Sequence, residues 1–195
     1  MTRIIAGSRG GRRLTMPTGD QTRPTTDRTR EALFSAIASW AGTSAGAAEE
    51  SLSGLSFGDL FAGSGAVGLE AASRGADPVV LVEVDRRTSA VAKANAADLG
   101  LAATVRTTRA EHYVRGRADQ GFDVIFLDPP FDHAAAEVDA LVAAIVAGGW
   151  VLPDGLVIVE RSARSDPPTF PAGFDDGWQK RYGETVLHFA PGRAD

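Results

Sequence analysis

The feature that most constrains this chain is an alternation that begins at residue 55, where short apolar runs are separated by amphipathic stretches of helix length. Residues 55–60, 79–84, 104–107, 122–127 and 156–160 suit strands, and residues 65–73, 87–99 and 135–146 suit helices. Strands that alternate with helical segments imply right-handed crossovers and a mostly parallel sheet covered on both faces. The expected fold class is α/β, doubly wound and Rossmann-like. In such sheets ligands lie beyond the carboxyl ends of the strands, where the crossover direction switches.

The flanks differ in character. Residues 3–14 are two short apolar stretches around Gly7-Ser-Arg-Gly-Gly11, a pattern that suits a hairpin arm. Residues 28–40 place Ala32, Leu33, Ile37 and Trp40 on one helical face, with Thr26 or Asp27 as N-cap. Residues 41–54 read as a loop with at most one helical turn, 161–179 as a loop, and 181–189 as one closing strand. The expected organisation is a basic arm, 1–22, followed by a single domain, 23–195, a size that fits 195 residues.

Net charge alone misleads. The chain sums to −5, yet residues 1–30 hold seven arginines against two aspartates, leaving −10 on the other 165 residues. A basic patch on an acidic body suits phosphate contacts at one end, and Arg9, Arg12, Arg13 and Arg23 are the candidates. A solubilising charge run would produce the same composition. Zero cysteines exclude a disulfide framework, a thiolate metal site and a cysteine nucleophile. His112, His133 and His188 have no carboxylates at metal-ligand spacing, so no metal is expected; His133 lies close enough after residues 128–131 to touch a substrate there, with surface exposure the favoured reading. With no run of about 18 apolar residues and a polar start, a cytoplasmic, membrane-free protein is expected.

Gly63-Ser-Gly-Ala-Val-Gly68 follows the first predicted strand, and Glu83 ends the next. That spacing matches a dinucleotide fingerprint, in which the helix N-terminus seats a pyrophosphate. Asp59, four residues before Gly63, would repel such an anion but suits the cationic end of S-adenosylmethionine. Glu83 serves the ribose hydroxyls in either case, so both NAD and the methyl donor remain open, with the donor favoured. Asp85 reads as a helix cap.

After the strand 122–127 comes Asp128-Pro129-Pro130-Phe131. Two prolines stiffen the turn and remove donors, which suits a scaffold of acceptors. A conjugated amine is a weak nucleophile that must be held in line with the electrophile. The Asp128 carboxylate and the Pro129 carbonyl could each take one of its N–H bonds, while Phe131 stacks on the ring. A strand terminator with a packed phenylalanine is the alternative.

Together Asp59-Leu-Phe-Ala-Gly-Ser-Gly-Ala-Val-Gly-Leu-Glu70, Val82-Glu-Val-Asp85, Asp128-Pro-Pro-Phe131, Arg23-Pro-Thr-Thr-Asp-Arg28, the opening 3–14 and Arg181-Tyr-Gly-Glu-Thr185 resemble the RsmD family of 16S rRNA guanine-N2 methyltransferases. The resemblance covers nearly the whole chain, and its Arg-Pro-Thr-Thr-Asp-Arg segment is more specific than the Asp-Pro-Pro-Phe turn, which DNA and protein amino-methyltransferases share. It implies a class I S-adenosylmethionine-dependent methyltransferase fold with a seven-stranded, mostly parallel sheet and a small N-terminal β-hairpin. It also implies a guanine of 16S rRNA, in the 30S subunit or an assembly intermediate, as substrate; with no long apolar surface stripe in the sequence, a monomer is expected. Asp59, Phe61, Ala62, Gly63 and Gly65 would line the methionine end of the donor, Glu83 and Val84 the ribose side, and Ala110 and Glu111 the adenine. Family members carry an aspartate in the turn after the third strand, where this chain has Arg109. Adenine-N6 or glutamine-amide methylation, and a noncatalytic donor-binding role in ribosome assembly, are the competing functions.

Overall fold

The computed structural model describes residues 2–17, 26–130, 132–174 and 176–193. The chain divides into two compact units, 1–107 and 108–195.

The first unit begins with a hairpin closed by Ile4 N–H to Arg12 O (2.8 Å), Gly11 N–H to Ile4 O (2.8 Å) and Leu14 N–H to Thr2 O (2.9 Å). Helix α1, Asp27–Trp40, starts at Thr26, whose hydroxyl accepts from Thr29 N–H. A 3-10 turn at Ala48–Glu50 interrupts the following loop. Strands β1 (Phe57–Asp59), β2 (Val79–Glu83) and β3 (Thr104–Thr107) then pair in parallel in the order β3-β2-β1. Helix α2, Ala66–Ser73, joins β1 to β2, and α3, Arg86–Leu99, joins β2 to β3. Leu33, Phe34 and Ile37 of α1, Phe57, Leu69 and Leu81 fill the core. Burial of such side chains is worth about 1.5–3 kcal/mol each and dominates the stability.

The hairpin is part of this unit. Ile5 and Ala6 N–H both donate to the Glu70 carboxylate of α2 (2.6 and 3.0 Å), and Ser8 N–H donates to Ser73 O (2.7 Å). Glu70 is fully buried and also receives Arg74 Nε at 2.8 Å. Buried Arg30 of α1 donates to Arg3 O (2.6 Å) and to Asp27 (2.9 Å). Burial pushes this guanidinium below its usual range, and nearby Glu70 and Asp27 oppose that shift. Gly7 has φ +81°, and a Cβ there would lie 2.0 Å from Ser73 O, so only glycine allows so close an approach. Buried Glu70 and Ser73 of α2 thus answer the backbone amides of the arm from Ile5 to Arg9, Gly7 excepted.

In the second unit, α4 (Ala110–Tyr113) precedes β4 (Phe122–Leu127), α5 (Ala135–Ala147) and β5 (Val151–Ser162). Strands β6 (Trp178–Tyr182) and β7 (Thr185–Pro191) complete the order β4-β5-β7-β6, parallel between β4 and β5 and antiparallel after that. Strand β5 begins five residues earlier than the sequence suggests. Pro153-Asp-Gly155 resembles a turn but forms an irregularity, where the pairing shifts between Phe122↔Val151 and Val124↔Leu156. The single closing strand expected at 181–189 is instead a hairpin, turned at Gly183 (φ +61°). The short helix α4 was not anticipated.

Candidate active site

In the first unit the site is built around the turn that follows β1. Gly63 (φ +53°) and Gly65 (φ +86°) take left-handed conformations that a residue with a side chain rarely adopts. Gly65 N–H donates to Ala62 O (2.7 Å), and Ala62 N–H to Val82 O of β2 (2.9 Å), so the turn is pinned to the neighbouring strand. A Cβ on Gly65 would press on Leu69 and Leu81 at 3.0–3.2 Å, whereas one on Gly63 would meet nothing within 4 Å. Gly65 therefore serves packing, and Gly63 borders open space.

Glu83 bridges two loops. Its Oε2 accepts Gly63 N–H at 2.9 Å and its Oε1 accepts Asp85 N–H at 2.8 Å. Each carboxylate oxygen retains acceptor capacity for a hydroxyl. Val84 beside it is 57% exposed, unusual for a large apolar side chain. Asp59 is buried, and its Oδ2 accepts Gly68 N–H of α2 at 3.0 Å. That bond answers an amide of the first helical turn, a role in the fold that sequence reasoning did not assign. Phe61 is half-buried and Ala62 buried. Asp85 caps α3 through Thr88 N–H (2.8 Å), a bond that holds its carboxyl below the usual range.

In the second unit β4 runs into the Asp128 turn. Asp128 is half-buried, Pro129 buried and Pro130 exposed; Phe131 lies outside the described residues. Pro130 O accepts His133 N–H at 3.0 Å, and buried Arg161 of β5 donates through Nη2 to His133 O at 2.9 Å. The turn is thus held by its prolines and by a clamp from the adjacent strand. His133 is not a solvent-facing bystander: it is half-buried, with Nε2 3.6 Å from Glu111 Oε1. Ala110 is buried at the start of α4, and Arg109 precedes it as an N-cap without a side-chain bond. Among the described residues, no group of three or more His, Cys, Asp or Glu could hold a metal ion.

The basic residues divide. Arg9 Nε donates to Leu99 O, and Arg12 reaches Asp98 O at 3.5 Å. Both cations therefore sit at the carbonyl end of α3, where they complement the helix dipole. Arg13 is exposed, and Arg23 lies outside the described residues. Sequence reasoning missed Arg161, Glu70 and Asn95. Each is a polar residue interrupting an otherwise apolar or small-residue face, the one local signal that could have flagged it.

No helix among the described residues is long and apolar enough to cross a membrane. The family model described as conserved hypothetical protein 95 matches residues 2–191. The chain is 33% identical over 185 residues to ribosomal RNA small subunit methyltransferase D of Escherichia coli K12, covering 94% of this chain and 86% of that protein. The solved structure of yhhF from Escherichia coli is 32% identical, with TM-score 0.83 over 99% of this chain and 98% of that one. A Thermus thermophilus 16S rRNA N2-guanine methyltransferase, RsmC, in complex with AdoMet and guanosine, shares the fold at 21% identity and TM-score 0.59, covering 90% of this chain and 45% of that one. The glycine turn after β1 and the Asp-Pro-Pro turn after β4 thus stand on a Rossmann-like class I methyltransferase fold, and the chain belongs to the RsmD family of ribosomal RNA small subunit methyltransferases.

Proposed function

We propose that this rRNA methyltransferase transfers the methyl group of S-adenosylmethionine to the exocyclic N2 of a guanine in 16S rRNA. The observation that carries the reading is the pairing of a phosphate-averse glycine turn, with Asp59 and Glu83 at adjacent strand ends, with an Asp-Pro-Pro acceptor turn in the same chain. The open side of Gly63 and the acceptor capacity of Glu83 fit an adenosyl donor, while the Asp59 carboxylate disfavours a pyrophosphate. Asp59, Phe61, Ala62 and Gly63 would line its methionine end, on a turn shaped by Gly65; Glu83 and Val84 would line its ribose side, and Ala110 and Glu111 its base. Bound there, the donor supplies an electrophilic methyl group on a sulfonium sulfur.

The protein's own task is to present the amine. Asp128 and the Pro129 carbonyl accept its two N–H bonds, which orients the nitrogen lone pair and favours the positive charge that develops as the new C–N bond forms. The prolines of the Asp128–Pro130 turn keep those acceptors from relaxing, and Phe131 would supply a stacking surface for a base splayed out of its strand. Arg13 and Arg23, with the outer edges of Arg9 and Arg12, supply phosphate contacts from the arm. The RsmC complex, which holds AdoMet and guanosine on the same fold, supports both ligand assignments.

Asp128 is the residue to test. Asp128→Ala is expected to lower kcat about 10²–10³-fold, the usual loss for one preorganised transition-state partner, while S-adenosylhomocysteine binds as tightly as to the unaltered protein. Full activity in this variant would refute the assigned role.

A further inference from the structure

Helix α3 carries one buried side-chain amide. Asn95 is 2% exposed and lies on the helix face that also buries Ala92, Ala96 and Leu99. Asparagine is a poor helix former because its amide competes with the backbone. Here all of its hydrogen-bonding groups are engaged elsewhere. Oδ1 accepts Thr15 N–H (2.9 Å), and Nδ2 donates to Thr15 O (3.0 Å) and to Ser64 O (2.9 Å). One amide thus answers both backbone groups of Thr15, as a neighbouring strand would, and with its remaining hydrogen fixes a carbonyl of the glycine turn.

That carbonyl matters because Ser64 C=O and Gly65 N–H belong to one rigid peptide plane. The N–H side of the plane is held by Ala62 O at 2.7 Å and the oxygen side by Asn95, so the plane cannot rotate without breaking a buried bond. Ser64 Oγ adds a bond to Met16 Sδ at 3.4 Å. The exit of the arm, Thr15–Met16, is therefore joined to the Gly63–Gly65 turn through Asn95 and Ser64.

We propose that Asn95 is a positioning residue that couples the arm to the donor turn, so that rRNA binding on the arm and donor binding at the turn strengthen each other. The proposal rests on the reading above, in which the arm meets rRNA and the turn meets the donor. Asn95 touches neither ligand. It acts by holding the Ser64–Gly65 peptide plane in the orientation set by a docked arm. Coupling of this kind is reciprocal: the factor by which rRNA tightens the donor equals the factor by which the donor tightens rRNA.

The test is calorimetric titration of the full-length protein with S-adenosylhomocysteine, with and without saturating small ribosomal subunits that lack the modification. For the unaltered protein the subunits are expected to tighten S-adenosylhomocysteine by about tenfold, within the ordinary range of such couplings. Asn95→Leu, of similar volume, should weaken S-adenosylhomocysteine binding alone and bring the factor close to one. Ser73→Ala removes arm bonds to Arg9 N–H and Ala6 O at α2 while leaving Asn95 intact, and it should lower the melting temperature while keeping the factor. If Asn95→Leu does not fold, Ser64→Ala, which removes only the Met16 bond, should still reduce the factor severalfold. The coupling is overturned if the unaltered protein binds both ligands independently. It is equally overturned if Asn95→Leu keeps the full factor, if Ser73→Ala loses as much, or if Ser64→Ala leaves it intact. Failure of the unaltered protein to bind either ligand would instead refute the functional reading on which the proposal stands.

Discussion

At the scale of single residues, two positions set measurable limits. A Cβ on Gly68 would lie 2.0 Å from Leu81 Cδ2 and 3.3 Å from Asp59 Cβ, so a side chain there would have to displace the fully buried Leu81. Gly68→Ala is expected to lower stability by about 1–3 kcal/mol, the cost of overpacking a filled core, read as a lower urea midpoint at unchanged slope. His188, on β7, is held below its ordinary range by burial and by the nearby Arg161 cation. The folded protein therefore favours the neutral imidazole, and its contribution is complete above the unfolded value of about 6.5. That contribution falls away as the pH drops below 6.5 and through the lower folded value. Urea midpoints taken from pH 7.5 to 5 should decline less steeply in His188→Gln than in the unaltered chain; parallel profiles would remove His188 from the explanation.

At the scale of elements, the arm is the informative piece. Four of its amides, on Ile5, Ala6, Ser8 and Arg9, are bonded to α2, and the carboxylate that receives two of them is buried beside Arg74. Removing one member of a buried ionic group leaves the others uncompensated, at a cost of about 3–5 kcal/mol. Glu70→Ala should therefore destabilise the protein by that order, and in hydrogen exchange the Ile5 and Ala6 amides should lose protection before those of β2. Sequence reading recovers a hairpin here, because Gly7 and Gly11 are local turn signals, but not its docking. Glu70 is separated from Ile5 by 65 residues, and nothing in the local pattern of α2 names a backbone amide as its partner. The same contrast recurs elsewhere. The glycine turn is legible because positive φ at Gly63 and Gly65 is a local demand, and α1 is legible because its apolar face repeats. The split between β6 and β7 at Gly183 and the irregular start of β5 are not, since pairing with a distant strand decides both.

At the scale of the whole molecule, the proposed chemistry is divided between the two units: the donor signature lies in 1–107 and the acceptor turn in 108–195. The motifs were readable because backbone-restricted residues, glycine and proline, carry both. The clamp on the acceptor turn was not, because Arg161 acts through the carbonyl of His133, 28 residues away in sequence. The family supplies rRNA methylation as the activity, and the arginine-rich arm on an otherwise acidic chain agrees with a substrate bound through phosphate. Affinity for rRNA is accordingly expected to fall with rising salt, and Arg13→Ala should make that dependence shallower by about one unit of log–log slope.

The central claim is tested most directly by incubating the purified protein with methyl-labelled S-adenosylmethionine and small ribosomal subunits that lack the modification, then digesting the RNA and identifying the labelled nucleoside by mass. The proposed chemistry predicts N2-methylguanosine as the labelled product, absent when Asp128→Ala replaces the unaltered protein. Labelled N6-methyladenosine, label in protein rather than RNA, or no label at all would contradict it.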